Sequence, residues 1–486
     1  MTRRAKIIAT IGPASRDEST LERLVSAGMN IARLNFSHGT HDQHAQVIAA
    51  LRGISEKTGR AVGVLQDLQG PKIRVGDLAA PLQLAEGEQV LLYAANTKAP
   101  RRSAQLIPVD FRELFESVHE GDSLLLDDGR LALQVVSVED NWLMARVAVG
   151  GLLSAHKGIN LPGVRLRIDG FTEKDEADLM FGLSQGVDAV AISFVRAAAD
   201  VKKVRAAMER LVKGAQLPLL IAKLEKPEAL DDLDGILDAV DGVMVARGDL
   251  GVELPPEQVP ALQKRIIRAA NRHNRLVITA TQMLESMVSN RLPTRAEASD
   301  VANAVFDGTD AVMLSAETAS GKYPVEAVQM MDRIVCEAES HFLEWGKESG
   351  ILDGMETSDA ASMARAARAL ANDENVAAVA SFTMRGQSAW LISKIRPPVP
   401  ILAFTPEPET YRRLAFLWGV GPQLVPYVNS LEEMLRIVDA ALTATVRAGD
   451  QVVLICGYPV GALRPPNMAL LHTVGSNQTL IQMKRP

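Results

Sequence analysis

Cysteine is almost absent: Cys336 and Cys456 are the only two in 486 residues. They make no disulfide framework and no zinc-ligand spacing, so a reducing, cytoplasmic setting is expected. Long apolar runs are missing too. No window reaches roughly 18 consecutive apolar residues, so no membrane-spanning helix is predicted. The apolar stretch near the N-terminus is too short for a secretory signal and is broken by Thr10, Gly12, Pro13 and then Asp17. An excess of positive charge is also lacking. The net charge is −7, which argues against nucleic acid as a partner. There is no Walker sequence, and no Gly-x-Gly-x-x-Gly follows a strand, so neither a P-loop nor a dinucleotide fold is supported. Internal repeats and low-complexity segments are absent.

What is present is an ordinary globular composition, 47% hydrophobic and 23% charged, in a chain long enough for two to four domains. Eight strand-length apolar runs recur with helical patterns between them: Lys6–Gly12, Asn30–Phe36, Ala61–Leu68, Asp188–Val195, Pro218–Glu225, Gly242–Leu250, Leu276–Met283 and Ala311–Thr318. Continuous apolar strands separated by amphipathic helices imply a parallel sheet covered by helices, and eight such units suggest a (β/α)₈ TIM barrel. The first helix is legible in Leu21, Leu24 and Val25, which recur at helical spacing before a stop at Gly28. Between the third and fourth runs lies far more chain than a βα connection needs. Its segments read as short antiparallel strands with a hairpin turn at Asp128-Gly129, which predicts an inserted small β-barrel domain over 71–168. The barrel is then expected over 1–70 and 169–345. Apolar strands at Asn375–Thr383, Pro400–Thr405 and Gln451–Cys456, flanked by helices at Thr357–Ala371 and Leu431–Val446, predict a C-terminal open-sheet α/β domain over 346–486, after a linker at Glu344–Met355.

Barrel active sites sit at the C-terminal strand ends. Here those ends carry Thr10 and Pro13; Arg33, Asn35, Ser37 and His38; Asp67 and Lys72; Ser193 and Arg196; Lys223 and Glu225; Arg247, Gly248 and Asp249; Thr279, Thr281 and Gln282; Ser315 and Glu317. Glu225 and Asp249 suit Mg²⁺, which takes one or two carboxylates and leaves room for substrate oxygens. Arg33, Arg74, Lys157 and Lys223 provide cations for an anionic ligand, the main device of phosphoryl-transfer sites. His41 and His44 read as a solvated helix face.

Seven segments then match one family in order: Ala5-Lys-Ile-Ile-Ala-Thr-Ile-Gly-Pro-Ala-Ser15, Met29-Asn-Ile-Ala-Arg-Leu-Asn-Phe-Ser-His-Gly39, Gly70-Pro-Lys-Ile-Arg74, Lys223-Leu-Glu225, Arg247-Gly-Asp-Leu-Gly251, Ala280-Thr-Gln-Met-Leu-Glu-Ser-Met287 and Asp307–Thr318. The whole chain resembles pyruvate kinase. The resemblance implies transfer of the phosphoryl group of phosphoenolpyruvate to ADP, giving pyruvate and ATP. It implies that Glu225 and Asp249 bind Mg²⁺, with Mn²⁺ as a substitute. It makes Lys223, Arg33 and Thr281 catalytic, Arg33, Gly248, Asp249 and Thr281 substrate-binding, and Arg74, Lys157 and His38 nucleotide-binding. Lys157 lies in the inserted domain, which would close as a lid. A homotetramer is implied as well.

Two departures from the family pattern carry further expectations. Relatives that need K⁺ hold it with an Asn, a Ser, an Asp and a Thr, near a Glu. Asn35, Ser37 and Asp67 are kept, but Leu68 stands at the Thr position and Lys72 at the Glu position. A lysine is a compact point charge; beside Asp67 it would replace K⁺, so K⁺ is not required. In the C-terminal domain, Thr383, Arg385, Gly386 and Ser388 form a strand-to-helix loop suited to phosphate, with Gly457–Gly461 beside it. Relatives bind a sugar phosphate or nucleotide effector at that loop, but Met384-Arg385 replaces their Lys-Ser. The rival readings are an enolate-forming, Mg²⁺-dependent aldolase or lyase on a related barrel, and a non-enzymatic sugar-phosphate sensor.

Overall fold

The computed structural model describes residues 3–100, 104–164, 169–212, 216–346, 358–460 and 462–476. The predicted linker lies outside them from residue 347 onward, as do Gly461 and Thr357, the first residue of a predicted helix. Eight parallel strands close into a barrel: Lys6–Ile11, Ile31–Asn35, Gly63–Asp67, Ala189–Ile192, Leu219–Leu224, Gly242–Ala246, Leu276–Ala280 and Ala311–Leu314. Closure comes from the first strand pairing with the last, Lys6 opposite Ala311. Every residue of the first, third, fourth, sixth, seventh and eighth strands is buried, which is why they read as continuous apolar runs. The surrounding helices show their signals plainly. Asp17 caps the Glu18–Ala27 helix by accepting from the Thr20 amide, and Gly28 ends it at φ 119°.

The inserted segment folds as a curled half-barrel. Its six-stranded sheet has the order Ile159–Asn160, Ser123–Leu126, Leu131–Glu139, Trp142–Val149, Gln89–Ala94, Gln105–Val109. A separate two-stranded pair joins Leu82–Leu84 to Gly151–Leu153. The expected hairpin turn is there, with Asp127, Asp128 and Gly129 all at positive φ. Leu92, Leu124, Leu133 and Leu143 are among the residues of its own core.

The C-terminal sheet is mixed. Val420–Leu424, Ile401–Thr405, Val376–Phe382 and Gln451–Cys456 run parallel, and Met468–Thr473 adds an antiparallel edge. This unit plugs the barrel floor with Phe416, which is fully buried among Ile8, Ile31, Leu65 and Ile278. The fit explains one glycine. A Cβ on Gly63 would stand 2.5 Å from the Phe416 ring, so this strand position has room for no side chain. Among the described residues, no helix is long and apolar enough to cross a membrane.

Of the two histidines on the His41–Thr58 helix, His44 departs from expectation and His41 does not. His44 is buried, stacks on Phe36 at 4.2 Å and points Nε2 at the His38 carbonyl. His41 stacks on Phe181 and pairs with Asp178 at 2.7 Å. Phe36, invisible in the helix's own pattern, turns His44 inward, while His41 stays exposed.

Candidate active site

Strand register brings charge together at the barrel mouth. Asn35 lies opposite Asp67, and Asp67 opposite Ala191. Side chains that are distant in sequence therefore emerge side by side. Arg33 donates from Nε to Asp67 Oδ2 at 2.7 Å and from Nη1 to Thr10 Oγ1 at 2.9 Å. Lys223 Nζ lies 2.7 Å from Glu225 Oε1, 3.4 Å from Asp67 Oδ1, and donates to Ser193 Oγ at 2.9 Å. Ser193 in turn donates to the Leu68 carbonyl. The Phe194 amide donates to Glu225 Oε2 at 2.8 Å.

The electrostatics follow from these contacts. Burial pushes the Asp67 carboxyl up, but Lys223 and Arg33 outweigh it and hold the group below its ordinary range. Burial pulls Lys223 down, yet Asp67 and Glu225, with Asp249 behind them, carry it well above a normal lysine. Its ammonium is thus charged at any working pH. Burial raises Glu225; Lys223 opposes that rise and the negative charge of Asp249 adds to it. Asp67 Oδ1 accepts no hydrogen bond.

Asp249 sits in the first turn of the Arg247–Glu253 helix, half-buried. With Glu225 it offers hard oxygen donors from two adjacent strand ends. Among the described residues, no cluster of three or more His, Cys, Asp or Glu could cage a metal by itself. A divalent ion here would have to draw on substrate oxygens and water, as Mg²⁺ does, and the donor set fits that ion.

Thr281 follows the seventh strand at φ 68°. A β-branched residue in this region is an outlier that its surroundings must enforce. The Gly248 amide donates to Thr281 Oγ1 at 2.7 Å, and Thr281 Oγ1 donates to the Ala280 carbonyl at 2.6 Å. Gly248 N–H is therefore engaged with Thr281. The Asp249 amide, also in the helix's first turn, has no acceptor within the helix.

Three sequence-based placements are corrected. Lys72 is not beside Asp67; no ion pair joins them, and the cations facing Asp67 are Arg33 and Lys223. The Lys72 stem instead packs over Gly158, so close that a Cβ there would stand 3.1 Å from Lys72 Cε. Lys157 does not reach the mouth: its Nζ pairs with Asp127 of the lid hairpin at 2.7 Å. Arg247 turns away from the mouth, donating to the Ala280 and Thr281 carbonyls and pairing with Asp300 at 2.6 Å.

Burial lowers the His38 imidazole, and the positive charges of Arg74, Lys72 and Arg33 lower it further. Arg74 donates to the His156 carbonyl at 3.1 Å. Asn35 Oδ1 accepts from the Ser37 amide, and the Leu68 side chain is in the core. Thr383 Oγ1 accepts from the Gly386 amide at 3.0 Å; Arg385 is exposed and Ser388 buried. Thr10 and Ser193, to which the resemblance gives no role, engage Arg33 and Lys223, and the Phe194 amide holds Glu225. Ser193 is legible in the sequence as a polar residue inside the Asp188–Val195 run; the role of the Phe194 amide, being backbone, is not.

Comparison with known proteins gives one consistent answer. The family model described as "Pyruvate kinase, barrel domain" matches residues 2–328, and "Pyruvate kinase, alpha/beta domain" matches 361–472. The chain is similar to a pyruvate kinase of Mycobacterium tuberculosis, 45% identical over 98% of this chain and all of the relative. A pyruvate kinase of Geobacillus stearothermophilus is 43% identical over 98% of this chain and 81% of its own. "Pyruvate kinase 2" of Synechocystis is 45% identical over 98% and 80%.

Proposed function

The chain belongs to the pyruvate kinase family and has its activity, with phosphoenolpyruvate and ADP as substrates; on that premise we propose how its residues divide the work. One observation carries the reading. A buried lysine, Lys223, stands between two carboxylates at the barrel mouth, and a second cation, Arg33, occupies the other oxygen of Asp67. Phosphoryl transfer is chiefly positioning and charge neutralisation. Lys223 and Arg33 bind the phosphoryl oxygens from two sides, Lys223 stabilising the charge that develops in flight. Glu225 and Asp249 hold Mg²⁺, or Mn²⁺ in its place; when bound, the ion neutralises charge on the phosphoryl and carboxylate oxygens. Thr281 and the Gly248-Asp249 turn orient the substrate carboxylate, Gly248 by exchanging its Thr281 acceptor for it. The Thr281 hydroxyl lies on the proton route to the enolate. Arg74, His38 and Lys157 bind the nucleotide phosphates, and Lys157 leaves Asp127 as the lid closes. ATP formed from phosphoenolpyruvate, ADP and Mg²⁺ is the expected result. Enolate chemistry without ATP would favour the aldolase or lyase reading.

K⁺ is not required in this reading. Leu68 offers no side-chain oxygen, its carbonyl already accepts from Ser193, and Asp67 faces two cations. Lys72 adds positive charge near His38 rather than on Asp67. A large activation by K⁺ in a tetramethylammonium buffer would overturn this. Regulation is assigned to the loop at Thr383, Arg385, Gly386 and Ser388. A cavity of about 940 Å³ between the barrel underside and this domain is lined by Arg385 and Gly386, and by Arg272, Arg275 and Arg413. A sugar phosphate or nucleotide is the effector class, tested by titration at sub-saturating phosphoenolpyruvate. A cytoplasmic homotetramer completes the proposal; the mass in solution checks the assembly.

A further inference from the structure

The Arg247–Glu253 helix begins at the mouth with Gly248 and Asp249 and ends one turn later at Glu253. Residues four apart lie on one face of a helix, so Asp249 and Glu253 share a face. Glu253 is almost fully buried, its side chain 2% exposed. Its Oε1 accepts from Lys226 Nζ at 2.6 Å and from Asn160 Nδ2 at 3.4 Å. Those two donors come from different places. Lys226 is the next residue after Glu225. Asn160 belongs to Ile159–Asn160, the edge strand of the lid sheet. The lid hairpin rests on the same helix, since a Cβ on Gly129 would stand 3.9 Å from Val252.

One carboxylate thus joins three parts: the segment carrying Glu225, the helix carrying Asp249, and the lid. Two of the nucleotide-binding candidates, Lys157 and Arg74, lie next to the lid strand it holds. Lys157 is three residues before Asn160, the Ile159 amide donates to the Ile73 carbonyl at 2.9 Å, and Arg74 bridges to Gly158. We propose that Glu253 is a positioning residue that fixes the spacing of Glu225 and Asp249 through Lys226, and anchors the lid's edge strand to the barrel through Asn160. A carboxylate accepting both donors moves the two carboxylates and the lid as one unit. Without it, Lys226 is left buried and unpaired, and the lid loses its register on the barrel.

The proposal rests on the roles given to Glu225, Asp249 and the lid, and its test separates the two. The wild-type enzyme, Asn160→Ala, Asn160→Asp, Glu253→Gln and Lys226→Arg are compared by steady-state kinetics. Mn²⁺ binding to the nucleotide-free protein is followed by electron paramagnetic resonance, which does not depend on turnover. Loss of a hydrogen bond to a buried charged group raises the KM for ADP by about tenfold in Asn160→Ala. Asn160→Asp, which sets two carboxylates together, raises it further. Both leave the KM for phosphoenolpyruvate and Mn²⁺ binding unchanged. Glu253→Gln weakens ADP and Mn²⁺ together, again by about tenfold each. Lys226→Arg, which keeps the charge, retains Mn²⁺ affinity. Wild-type Mn²⁺ affinity in Glu253→Gln, or a wild-type KM for ADP in Asn160→Asp, overturns the proposal. Should Glu253→Gln not fold, as judged by near-ultraviolet circular dichroism, the Asn160 variants decide, because they leave the Lys226–Glu253 pair intact. Absence of ATP formation in the wild type would instead strike at the functional reading beneath.

Discussion

The barrel carries a buried lysine–aspartate cluster at each end, and the two behave oppositely. At the mouth, Lys223 and Arg33 face Asp67, Glu225 and Asp249. At the floor, Lys394 and Arg396 share Asp310, with Glu339 acting on Arg396 at longer range. Burial lowers both lysines. At Lys223 the carboxylates outweigh it and the group is raised. At Lys394 the single contacting carboxylate does not, and the group is lowered. The two aspartates differ too. Asp310 accepts from Lys394, Arg396 and the Val277 amide, and Lys394 also donates to Asn271. Asp67 keeps an oxygen without a hydrogen bond. An excess of carboxylate with unused acceptors suits a place that receives a metal and an anion. A fully engaged aspartate between two domains is a joint. Burial of charge alone would not have told them apart.

The sharpest way to break this comparison is to treat both lysines alike. Lys223→Met removes the principal cation at the mouth, and kcat should fall by about 10³-fold or more. ATP formation under saturating substrates measures it. Retention of near-normal kcat would remove Lys223 from the chemistry. Lys394→Met should do the reverse. Breaking a buried pair typically costs about 3–5 kcal/mol, and because Arg396 still faces Asp310 the cost should lie near the low end, about 3 kcal/mol. Denaturation of the joint between barrel and C-terminal domain, followed by the first thermal transition, reads this out, while kcat stays that of the wild type below the transition. A large kcat loss in a well-folded Lys394→Met would make the floor more than a joint.

The two ends were also unequally legible. At the mouth, Lys223, Glu225 and Asp249 interrupt apolar runs, and a core strand has no use for such residues, so local pattern suffices. Their partners do not follow from local pattern. Arg33 meets Asp67 across two strands through a register that only closure of the barrel sets, and Lys72, close in sequence to Asp67, is carried away by the lid connection. At the floor almost nothing was legible. Lys394 is the last residue of the Gln387–Lys394 helix, where a lysine reads as an exposed end-of-helix charge; the other domain buries it. The Val420–Leu424 strand was missed because Gly421 and Pro422 interrupt it. An edge position tolerates both, and its place at the end of the C-terminal sheet supplies one.

The smallest expected effect tests the floor once more. Lys6, on the first barrel strand, is buried there and donates to the Val420 carbonyl at 2.7 Å. Burial, with Arg3 adding and Glu339 opposing, brings its amine from 10.5 down to about 7. An unfolded lysine keeps its proton up to the ordinary value. Between about pH 7 and 10.5 the unfolded chain therefore binds the additional proton, so the stability contributed by this site rises with pH across that window. Below it the penalty is complete and constant. Lys6→Met removes the titration but leaves the Val420 carbonyl without its donor, which offsets part of the gain. A net stabilisation of about 1 kcal/mol is expected near pH 6, shrinking as the pH rises. Thermal transitions of both proteins from pH 6 to about pH 9 follow it. A difference that does not change with pH would mean that Lys6 stays charged in the fold. The floor would then hold its cations as firmly as the mouth does, and the contrast between the two ends would rest on hydrogen bonding alone.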